Sequence, residues 1–184
     1  MARLRIIAGK FGGRWISADV ARATHPMGDR VRSGLFNLLQ SRNILAGAEI
    51  LDAFAGTGAV GLEALSRGAK FATFIERDAT AAKIIAENIT TLNVENQTKL
   101  IKTAVANWTK TAGDASFDII FADPPYHNPQ FSTVFKLPNY LRPNGLMILS
   151  YMSRETAPEP NGVVVVDKRS YGEASLAIYQ KVDG

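Results

Sequence analysis

The sequence predicts an α/β fold: a mostly parallel sheet of seven strands with helices on both faces, closed by a C-terminal antiparallel hairpin. From residue 48 onwards, short apolar runs alternate with segments of helical spacing, which is typical of parallel strands joined by helices. Residues 117–122 are almost entirely apolar, which indicates a strand buried on both faces. Near the end, two strand-like runs have no helix between them, so they are expected to pair antiparallel.

A smaller extension precedes this sheet. Residues 4–8 and 14–17 are predicted to be short strands, and the glycines between them favour a turn. A loop is expected at residues 18–28, after which Asp29 is predicted to cap a helix that runs to about residue 42. We therefore expect one domain over residues 1–184, with a small β-hairpin and helix extension at residues 1–43 and the sheet-forming core at residues 44–184.

The core elements follow one another along the chain. Strands are predicted at residues 49–54, 71–76, about 100–101, 117–122, 146–151, 163–167 and 175–180. Helices are predicted at residues 58–66, 79–90 and 131–141. Ligands of open α/β sheets bind beyond the carboxyl ends of the strands. The residues that directly follow each parallel strand are therefore the first candidates for a site.

Composition restricts the function classes. The chain has no cysteine and two histidines, which excludes thiol catalysis and cysteine-ligated zinc, so we expect no metal site. No apolar run reaches the roughly 18–20 residues of a membrane span, and the first ten residues lack the apolar stretch of a secretory signal. We expect a cytoplasmic monomer without a membrane partner. Trp15 and Trp108 are predicted to pack in the core or at its edge rather than to stack on bases.

The basic residues are concentrated in one part of the chain. Residues 1–42 contain eight lysines and arginines against two aspartates, whereas the remainder has 13 basic and 15 acidic residues. This asymmetry suits contact between the first segment and a polyanion. A solvated basic segment without a partner fits the charge equally well.

A glycine-rich turn follows the first strand of the core. Gly56, Gly58 and Gly61 match the spacing of a dinucleotide-binding loop, and Glu76 lies 20 residues after Gly56, where an acid binds a ribose. Both nicotinamide dinucleotide and S-adenosylmethionine carry such a ribose, so the loop alone leaves both open. Asp52 favours S-adenosylmethionine, because a carboxylate beside the loop suits a cationic cofactor better than a pyrophosphate.

The run Asp123-Pro124-Pro125-Tyr126 follows the apolar strand at residues 117–122. Two prolines stiffen the loop and remove two N–H donors, so it presents acceptors: the Asp123 carboxylate and the Pro124 carbonyl. These acceptors match the two N–H groups of a base amino group. They would orient the nitrogen towards a methyl donor, and Tyr126 is placed to stack on a base turned out of its helix. The sequence thus predicts methyl transfer to an exocyclic amine.

These motifs resemble the class I S-adenosylmethionine methyltransferases, and more narrowly the bacterial 16S ribosomal RNA guanine-N2 methyltransferase family, the RsmD type. The resemblance spans nearly the whole chain. It includes Arg5-Ile6-Ile7-Ala8-Gly9-Lys10, Asp29-Arg30-Val31-Arg32, Asp52-Ala53-Phe54-Ala55-Gly56-Thr57-Gly58, Asp123-Pro124-Pro125-Tyr126 and Tyr171-Gly172. The first two runs are the family-specific part, since other amino-methyltransferases share the Asp-Pro-Pro-Tyr run.

The resemblance implies a Rossmann-like catalytic core and a role for each motif. The implied contacts to S-adenosylmethionine come from Asp52, Phe54, Ala55, Gly56, Thr57, Gly58, Glu76, Arg77 and Ala104. Base binding and catalysis are implied for Asp123, Pro124, Pro125 and Tyr126. Contacts to ribosomal RNA, free or in the small ribosomal subunit, are implied for Arg3, Arg5, Lys10, Arg14, Arg30 and Arg32. The family has an acid after the third strand that binds adenine; residues 102–107 contain none, so backbone groups or Asn107 are expected to replace it.

Several functions are compatible with these motifs. The leading prediction is transfer of a methyl group to guanine N2 in small-subunit ribosomal RNA. Adenine-N6 methylation of DNA or RNA would use the same Asp-Pro-Pro-Tyr chemistry, although 184 residues leave no room for the target-recognition insert of a DNA enzyme. A non-catalytic RNA-binding assembly factor of the same fold is the alternative from another functional class.

Overall fold

The computed structural model describes residues 2–18 and 27–182. In chain order the strands and helices are β1 (Ala2–Arg5), β2 (Trp15–Ala18), α1 (Asp29–Ser41), β3 (Glu49–Asp52), α2 (Ala59–Ser66), β4 (Phe71–Ile75), α3 (Ala79–Leu92), β5 (Thr98–Ile101), α4 (Val105–Thr111), β6 (Phe117–Ala122), α5 (Phe131–Val134), β7 (Leu141–Met152), β8 (Val163–Tyr171) and β9 (Ala174–Lys181). Most of the loop predicted at residues 18–28 lies outside the described residues. No helix in the described ranges is both long enough and apolar enough to cross a bilayer.

Seven of the described strands form one sheet in the order β5-β4-β3-β6-β7-β9-β8. The strands from β3 to β7 pair in parallel, whereas β9 is antiparallel to both of its neighbours, β7 and β8. The predicted fold class, including the C-terminal hairpin, is therefore confirmed. The chain moves outwards from β3 through β4 to β5 and then places β6 on the other side of β3. The order of the sheet thus reverses between β3 and β6.

Apolar side chains cover both faces of the sheet, because successive residues of a strand point to opposite faces. Ile119 of β6 belongs to one core, together with side chains of α1, α2 and α3, and Ile120 belongs to a second core with side chains of α4 and α5. Ile6, Phe11 and Ile16 of the N-terminal segment are part of the first core. The extension is therefore packed into one face of the fold.

The first strand of the N-terminal hairpin begins and ends earlier than the predicted residues 4–8, and the second strand is shifted by one residue from the predicted residues 14–17. β1 and β2 are antiparallel, with Leu4 opposite Ile16, but residues 7 and 8 are not part of the strand. The backbone N–H groups of Ile7 and Ala8 instead donate to the Glu63 carboxylate of α2, at 2.8 and 3.1 Å. The Glu63 carboxylate thus takes the place of the backbone carbonyls that a longer strand would have offered to Ile7 and Ala8. No pattern in the neighbouring residues indicates such a bond.

The start of α1 also differs from the prediction. Asp29 is the first residue of the helix, and its N-cap is Gly28, which has no side chain to cap it. The predicted cap is wrong because the Asp29 carboxylate accepts a hydrogen bond from the Arg32 guanidinium, at 2.8 Å. The first turn of α1 therefore contains an ion pair between Asp29 and Arg32.

Two corrections concern the second half of the chain. The helix predicted at residues 131–141 ends at Val134 and is followed by a 3-10 turn that contains Pro138, since proline has no N–H for a continuing helix.

The sequence did not predict α4. Its Trp108 is 6% exposed and packs on the Tyr140 ring, with centroids 4.7 Å apart, as predicted. Trp15 contradicts the packing prediction, because 56% of its surface is exposed.

Candidate active site

A cavity of about 800 Å³ opens at the carboxyl ends of β3 and β6, where the order of the sheet reverses. Ligands of open α/β sheets bind at such a reversal. Both sequence motifs meet there. The predicted site residues that line the cavity are Asp52, Phe54, Ala55, Gly56, Thr57, Glu76, Arg77, Ala104, Asp123, Pro124, Pro125 and Tyr126.

The glycine loop (residues 53–58) lines one half of this cavity with residues 53–57, whereas Gly58, which was also predicted to contact the cofactor, is not among the lining residues. Its last residue, Gly58, has φ +78°, a left-handed conformation that suits glycine, and it is the N-cap of α2. The Gly58 N–H donates to the Ala55 carbonyl at 2.7 Å, which closes the turn. Below the loop, the buried Asp52 carboxylate accepts from the Gly61 N–H of α2 at 3.0 Å. The loop is therefore held by backbone bonds and one carboxylate.

Glu76 follows β4 and ties the glycine loop to the neighbouring strand. One carboxylate oxygen accepts from the Gly56 N–H at 2.8 Å, and the other accepts from the Asp78 N–H at 2.7 Å. Each carboxylate oxygen has a second lone pair, so these two bonds leave acceptor capacity towards the cavity. Sequence reasoning assigned Glu76 to a ligand and missed this role in shaping the loop.

The Asp-Pro-Pro-Tyr loop (residues 123–126) forms the opposite wall. Ser150 of β7, which is 3% exposed, lies with its hydroxyl 2.7 Å from the Tyr126 hydroxyl. The same hydroxyl acts to lower the pKa of the Asp123 carboxyl by favouring its ionised form. Ser150 therefore holds the Tyr126 side chain and influences the charge of Asp123. Sequence reasoning missed Ser150, although a lone hydroxyl in a buried apolar strand was a signal that could have found it.

Three carboxylates give the cavity an unusual electrostatic character. The pKa of Asp52 is raised to about 7, mainly by burial and to a smaller extent by the nearby charges of Asp123 and Glu76, against the lowering effect of the hydrogen bond from the Gly61 N–H. Burial also raises the pKa of Asp123 to about 6, although the Ser150 hydrogen bond favours the ionised form. Burial makes it costly for Asp52 and Asp123 to carry negative charge, and the two charges also repel each other. A positively charged ligand offsets both costs, so this cavity favours a cation.

The remaining wall comes from elements that the sequence did not assign to the site. Residues of α1 and its N-terminus, including Met27 and Val31, face the turn between β8 and β9, where Tyr171 and Glu173 also line the cavity. A Cβ at Gly34 would lie 2.5 Å from the Tyr171 hydroxyl. The α1 helix and the C-terminal hairpin therefore touch and form one continuous side of the cavity.

The segment after β5 lines the cavity without an acidic side chain. Thr103, Ala104 and Val105 line the cavity. Asn107, which was expected to replace the missing acid, is exposed and is not among the lining residues. Among the described residues, no cluster of His, Asp and Glu could hold a metal ion.

The basic residues that were predicted to contact RNA fall into two groups. Arg3, Arg5, Lys10, Arg14 and Arg30 are exposed, and within the described chain none of them forms an ion pair. This leaves their charges available to a polyanion.

Arg32 is different, because it is 1% exposed. Its guanidinium donates to the Arg5 carbonyl and to the Asp29 carboxylate, both at 2.8 Å. Its Nε and Nη1 are buried and have no hydrogen-bond partner in the described part of the chain. A phosphate could not reach this group without a rearrangement, so Arg32 belongs to the interior.

The N-terminal arm (residues 2–18) is bonded to the helices behind the glycine loop. Asn88 of α3 accepts from the Ser17 N–H at 2.7 Å and donates to the carbonyls of Ser17 and Thr57, both at 3.0 Å. One buried side chain thus joins the arm to the glycine loop. At the other end of the arm, a Cβ at Gly9 would lie 2.0 Å from the Ser66 carbonyl of α2, so only glycine permits this close approach.

The fold is that of the class I methyltransferases. The yhhF protein of Escherichia coli has it too: it superposes with a TM-score of 0.85 over 98% of each chain, at 28% identity. The sequence model of the family described as "Conserved hypothetical protein 95" matches residues 4–180.

Curated relatives are similar over nearly their whole length. Ribosomal RNA small subunit methyltransferase D of Haemophilus influenzae is 34% identical over 96% of this chain and 93% of its own. The protein of that name from Escherichia coli is 30% identical over 97% of this chain and 90% of its own. The chain therefore belongs to this family, the RsmD type of class I methyltransferase.

Proposed function

We propose that this protein transfers a methyl group from S-adenosylmethionine to the exocyclic N2 of a guanine in small-subunit ribosomal RNA. The observation that carries the proposal is the meeting of the glycine loop and the Asp-Pro-Pro-Tyr loop in one cavity. The names of the relatives, ribosomal RNA small subunit methyltransferase D, supply the substrate class. Such a substrate implies action in the cytoplasm, and we propose that the protein acts there as a monomer of one domain.

The residues of the cavity suit this cofactor. When bound, S-adenosylmethionine supplies a reactive methyl group on a positively charged sulfur. The charges of Asp123 and Glu76 both act on the buried Asp52 carboxyl, so a bound cation lowers the cost of ionising Asp52 and Asp123, whose pKa values burial raises. The proposed contact set is Asp52, Phe54, Ala55, Gly56, Thr57, Gly58, Glu76, Arg77 and Ala104.

The Asp-Pro-Pro-Tyr loop is proposed to bind the amine. The Asp123 carboxylate and the Pro124 carbonyl accept its two N–H groups and hold the nitrogen in line for transfer. Above a pH of about 6, the pKa to which burial raises Asp123, this carboxylate is the accepting form. Tyr126 stacks on the base, and its hydroxyl bond to Ser150 at 2.7 Å keeps the ring in place.

The exposed basic residues of the first segment are proposed to bind RNA phosphates. Such contacts position a nucleic acid and leave base selection to the pocket. The proposed set is Arg3, Arg5, Lys10, Arg14 and Arg30. Arg32 is omitted, because its guanidinium is buried and bonded within the protein.

The product of the reaction tests this proposal. Small ribosomal subunits and free 16S RNA from cells that lack the protein are incubated with it and labelled S-adenosylmethionine, and the RNA is digested to nucleosides. We expect label in N2-methylguanosine. Label in N6-methyladenosine would replace the proposal with adenine methylation, and RNA binding without label would indicate an assembly factor.

A substitution in the Asp-Pro-Pro-Tyr loop separates catalysis from binding. Asp123→Asn keeps the size of the side chain but replaces one acceptor oxygen by a donor. We expect methyl transfer to be lost while the Kd for S-adenosylmethionine, measured by calorimetry, stays within a few-fold of wild type. Full activity in this variant would contradict the role of Asp123.

A further inference from the structure

The N-terminal arm has an outer face that carries, beside two of the proposed phosphate-binding arginines, an aromatic side chain to which the proposed function gives no role. In the β1–β2 pairing, Arg5 lies opposite Trp15 and Arg3 lies opposite Ser17. Side chains of directly opposed residues share a face, and neighbours along a strand alternate. Ile16, next to Trp15, is 2% exposed and belongs to the core. Arg3, Arg5 and Trp15 therefore point together to the other side, towards solvent.

Trp15 is the most exposed of the large apolar side chains in the described ranges, at 56%. A single exposed apolar residue needs no explanation, but the surroundings of this one are specific. Residues 2–18 contain four basic residues and no acidic residue. Two of them share its face, and neither forms an ion pair within the described chain. An indole beside two guanidinium groups of the neighbouring strand, one directly opposite and one diagonal to it, matches a ligand that has a flat apolar group next to anionic groups.

This face is also held rigidly. Behind it, Leu4 packs against the core and Ile16 is buried in it. At the end of the hairpin, Asn88 fixes the backbone of Ser17 from both its N–H and its carbonyl. A rigid platform loses little conformational freedom when a ligand binds, and this favours affinity.

We propose that the outer face of the β1–β2 hairpin is a binding site for an unpaired nucleotide of RNA. The Trp15 indole stacks on the base, and Arg3 and Arg5 on the neighbouring strand bind the phosphates that adjoin it. Paired bases are shielded by their neighbours in a duplex, so the site selects single-stranded RNA, a loop or a bulge. The inference rests on the proposed function in naming RNA as the nucleic acid and in giving Arg3 and Arg5 to its phosphates; the stacking on Trp15 is independent of it.

Fluorescence gives a direct readout of stacking. The chain has two tryptophans, so the Trp108→Phe variant leaves Trp15 as the only indole. We expect a short single-stranded RNA to quench its emission, because a stacked base contacts the ring. An abasic ribose-phosphate oligomer of the same length, which carries the charge without the bases, should bind without this quenching.

Affinity gives a second readout. Trp15→Ala should weaken binding of the single-stranded RNA by roughly 5- to 150-fold, the range for loss of one stacked base, and should leave binding of the abasic oligomer unchanged. Trp15→Phe should retain most of the affinity. Trp15→Leu keeps apolar area without an aromatic face, so it should bind as weakly as the alanine variant. The control is Val164→Ala on β8, which removes another exposed apolar side chain, 49% exposed.

The outcomes separate this site from the proposed reaction. Wild-type affinity in Trp15→Ala and Trp15→Leu, with no quenching, would overturn the nucleotide site, and Trp15 would then be free to serve a protein partner. If the wild-type protein methylates small-subunit RNA in the same preparation, that failure concerns the hairpin face alone. If the wild type transfers no methyl group but Trp15 is quenched by RNA, the proposed reaction fails and the nucleotide site stands.

Discussion

Ser150 shows how much a single hydroxyl contributes to this cavity. It is buried in β7, its hydroxyl lies 2.7 Å from the Tyr126 hydroxyl, and it favours the ionised form of Asp123. The two prolines between Asp123 and Tyr126 stiffen the backbone, and the Ser150 bond holds the Tyr126 side chain. The loop that we propose to bind the amine is thus ordered before the substrate arrives, which reduces the entropy lost on binding.

The raised carboxyl pKa values predict a pH dependence of ligand choice. Burial raises the pKa of Asp52 to about 7 and of Asp123 to about 6, so the cavity gains negative charge as the pH rises from about 5 to 8. Cationic S-adenosylmethionine gains more from this charge than its neutral demethylated product. We expect calorimetry to show that the preference for S-adenosylmethionine over the product increases across this interval. Asp52→Asn should flatten the increase, and a constant preference in the wild type would contradict the electrostatic account.

A second residue-scale prediction concerns Glu76, which shapes the glycine loop through Gly56 and Asp78. Glu76→Gln leaves one acceptor oxygen and directs an N–H₂ group at a backbone N–H. We expect the affinity for S-adenosylmethionine to fall by about 1.5–3 kcal/mol, the range for hydrogen bonds to charged groups. The matched control is the exposed Glu95→Gln, and equal affinities in the two variants would remove Glu76 from the site.

At the scale of elements, α3 contributes the side chain that joins arm and loop. Asn88→Ala removes three hydrogen bonds and leaves the Thr57 carbonyl without that donor. At about 0.5–1.5 kcal/mol for each bond, we expect unfolding free energy to fall by about 2–4 kcal/mol in denaturant titrations. Affinity for S-adenosylmethionine should fall as well, because the glycine loop loses its tie to α3. Asn107→Ala, on the surface of α4, should change neither quantity.

The sequence predicted the features that depend on residues close together along the chain. Both motifs were placed correctly, because residues that follow parallel strands meet at one edge of the sheet. The short α4 lacked a clear apolar period and was missed. Arg32 was assigned to RNA from its charge, although it lies three and four residues before Leu35 and Phe36, which mark the buried face of α1. That spacing was a signal against exposure.

The partners of the arm could not be predicted in the same way. Glu63 and Asn88 lie 56 and 71 residues from the backbone groups that they bind. Bonds over such separations follow from the complete fold and leave no periodicity in the sequence. The charge of the N-terminal segment was therefore compatible with a solvated segment. In the structure, its apolar residues Ile6, Phe11 and Ile16 are instead part of the core.

At the scale of the whole molecule, this packing determines how the RNA contact is tested. Deleting residues 1–20 would remove part of the core, so point substitutions are the fair test. Arg3→Ala, Arg5→Ala and Lys10→Ala together should lower affinity for small-subunit RNA. They should also reduce the slope of log affinity against log salt by about 0.7–0.9 for each lost phosphate contact. The melting temperature should be retained, because all three side chains are exposed.

The matched control for this triple variant removes the same charge elsewhere. Lys99, Lys110 and Lys136 are exposed on other elements, and replacing them with alanine should leave the salt slope closer to that of the wild type. If both triple variants lower the slope equally, the protein attracts RNA through its net charge, and the arm is not the site of contact.

The bonds between the arm and the later helices also have a consequence for the chain during its synthesis. The arm leaves the ribosome before Glu63 and Asn88 have been made, and Ser17 precedes Asn88 by 71 residues. At about 5–20 residues per second, that interval lasts roughly 4–14 s. Throughout it, the basic side chains and Ile6 are unprotected beside a surface rich in RNA. We expect the nascent protein to meet ribosomal RNA with its basic segment before it has an active site.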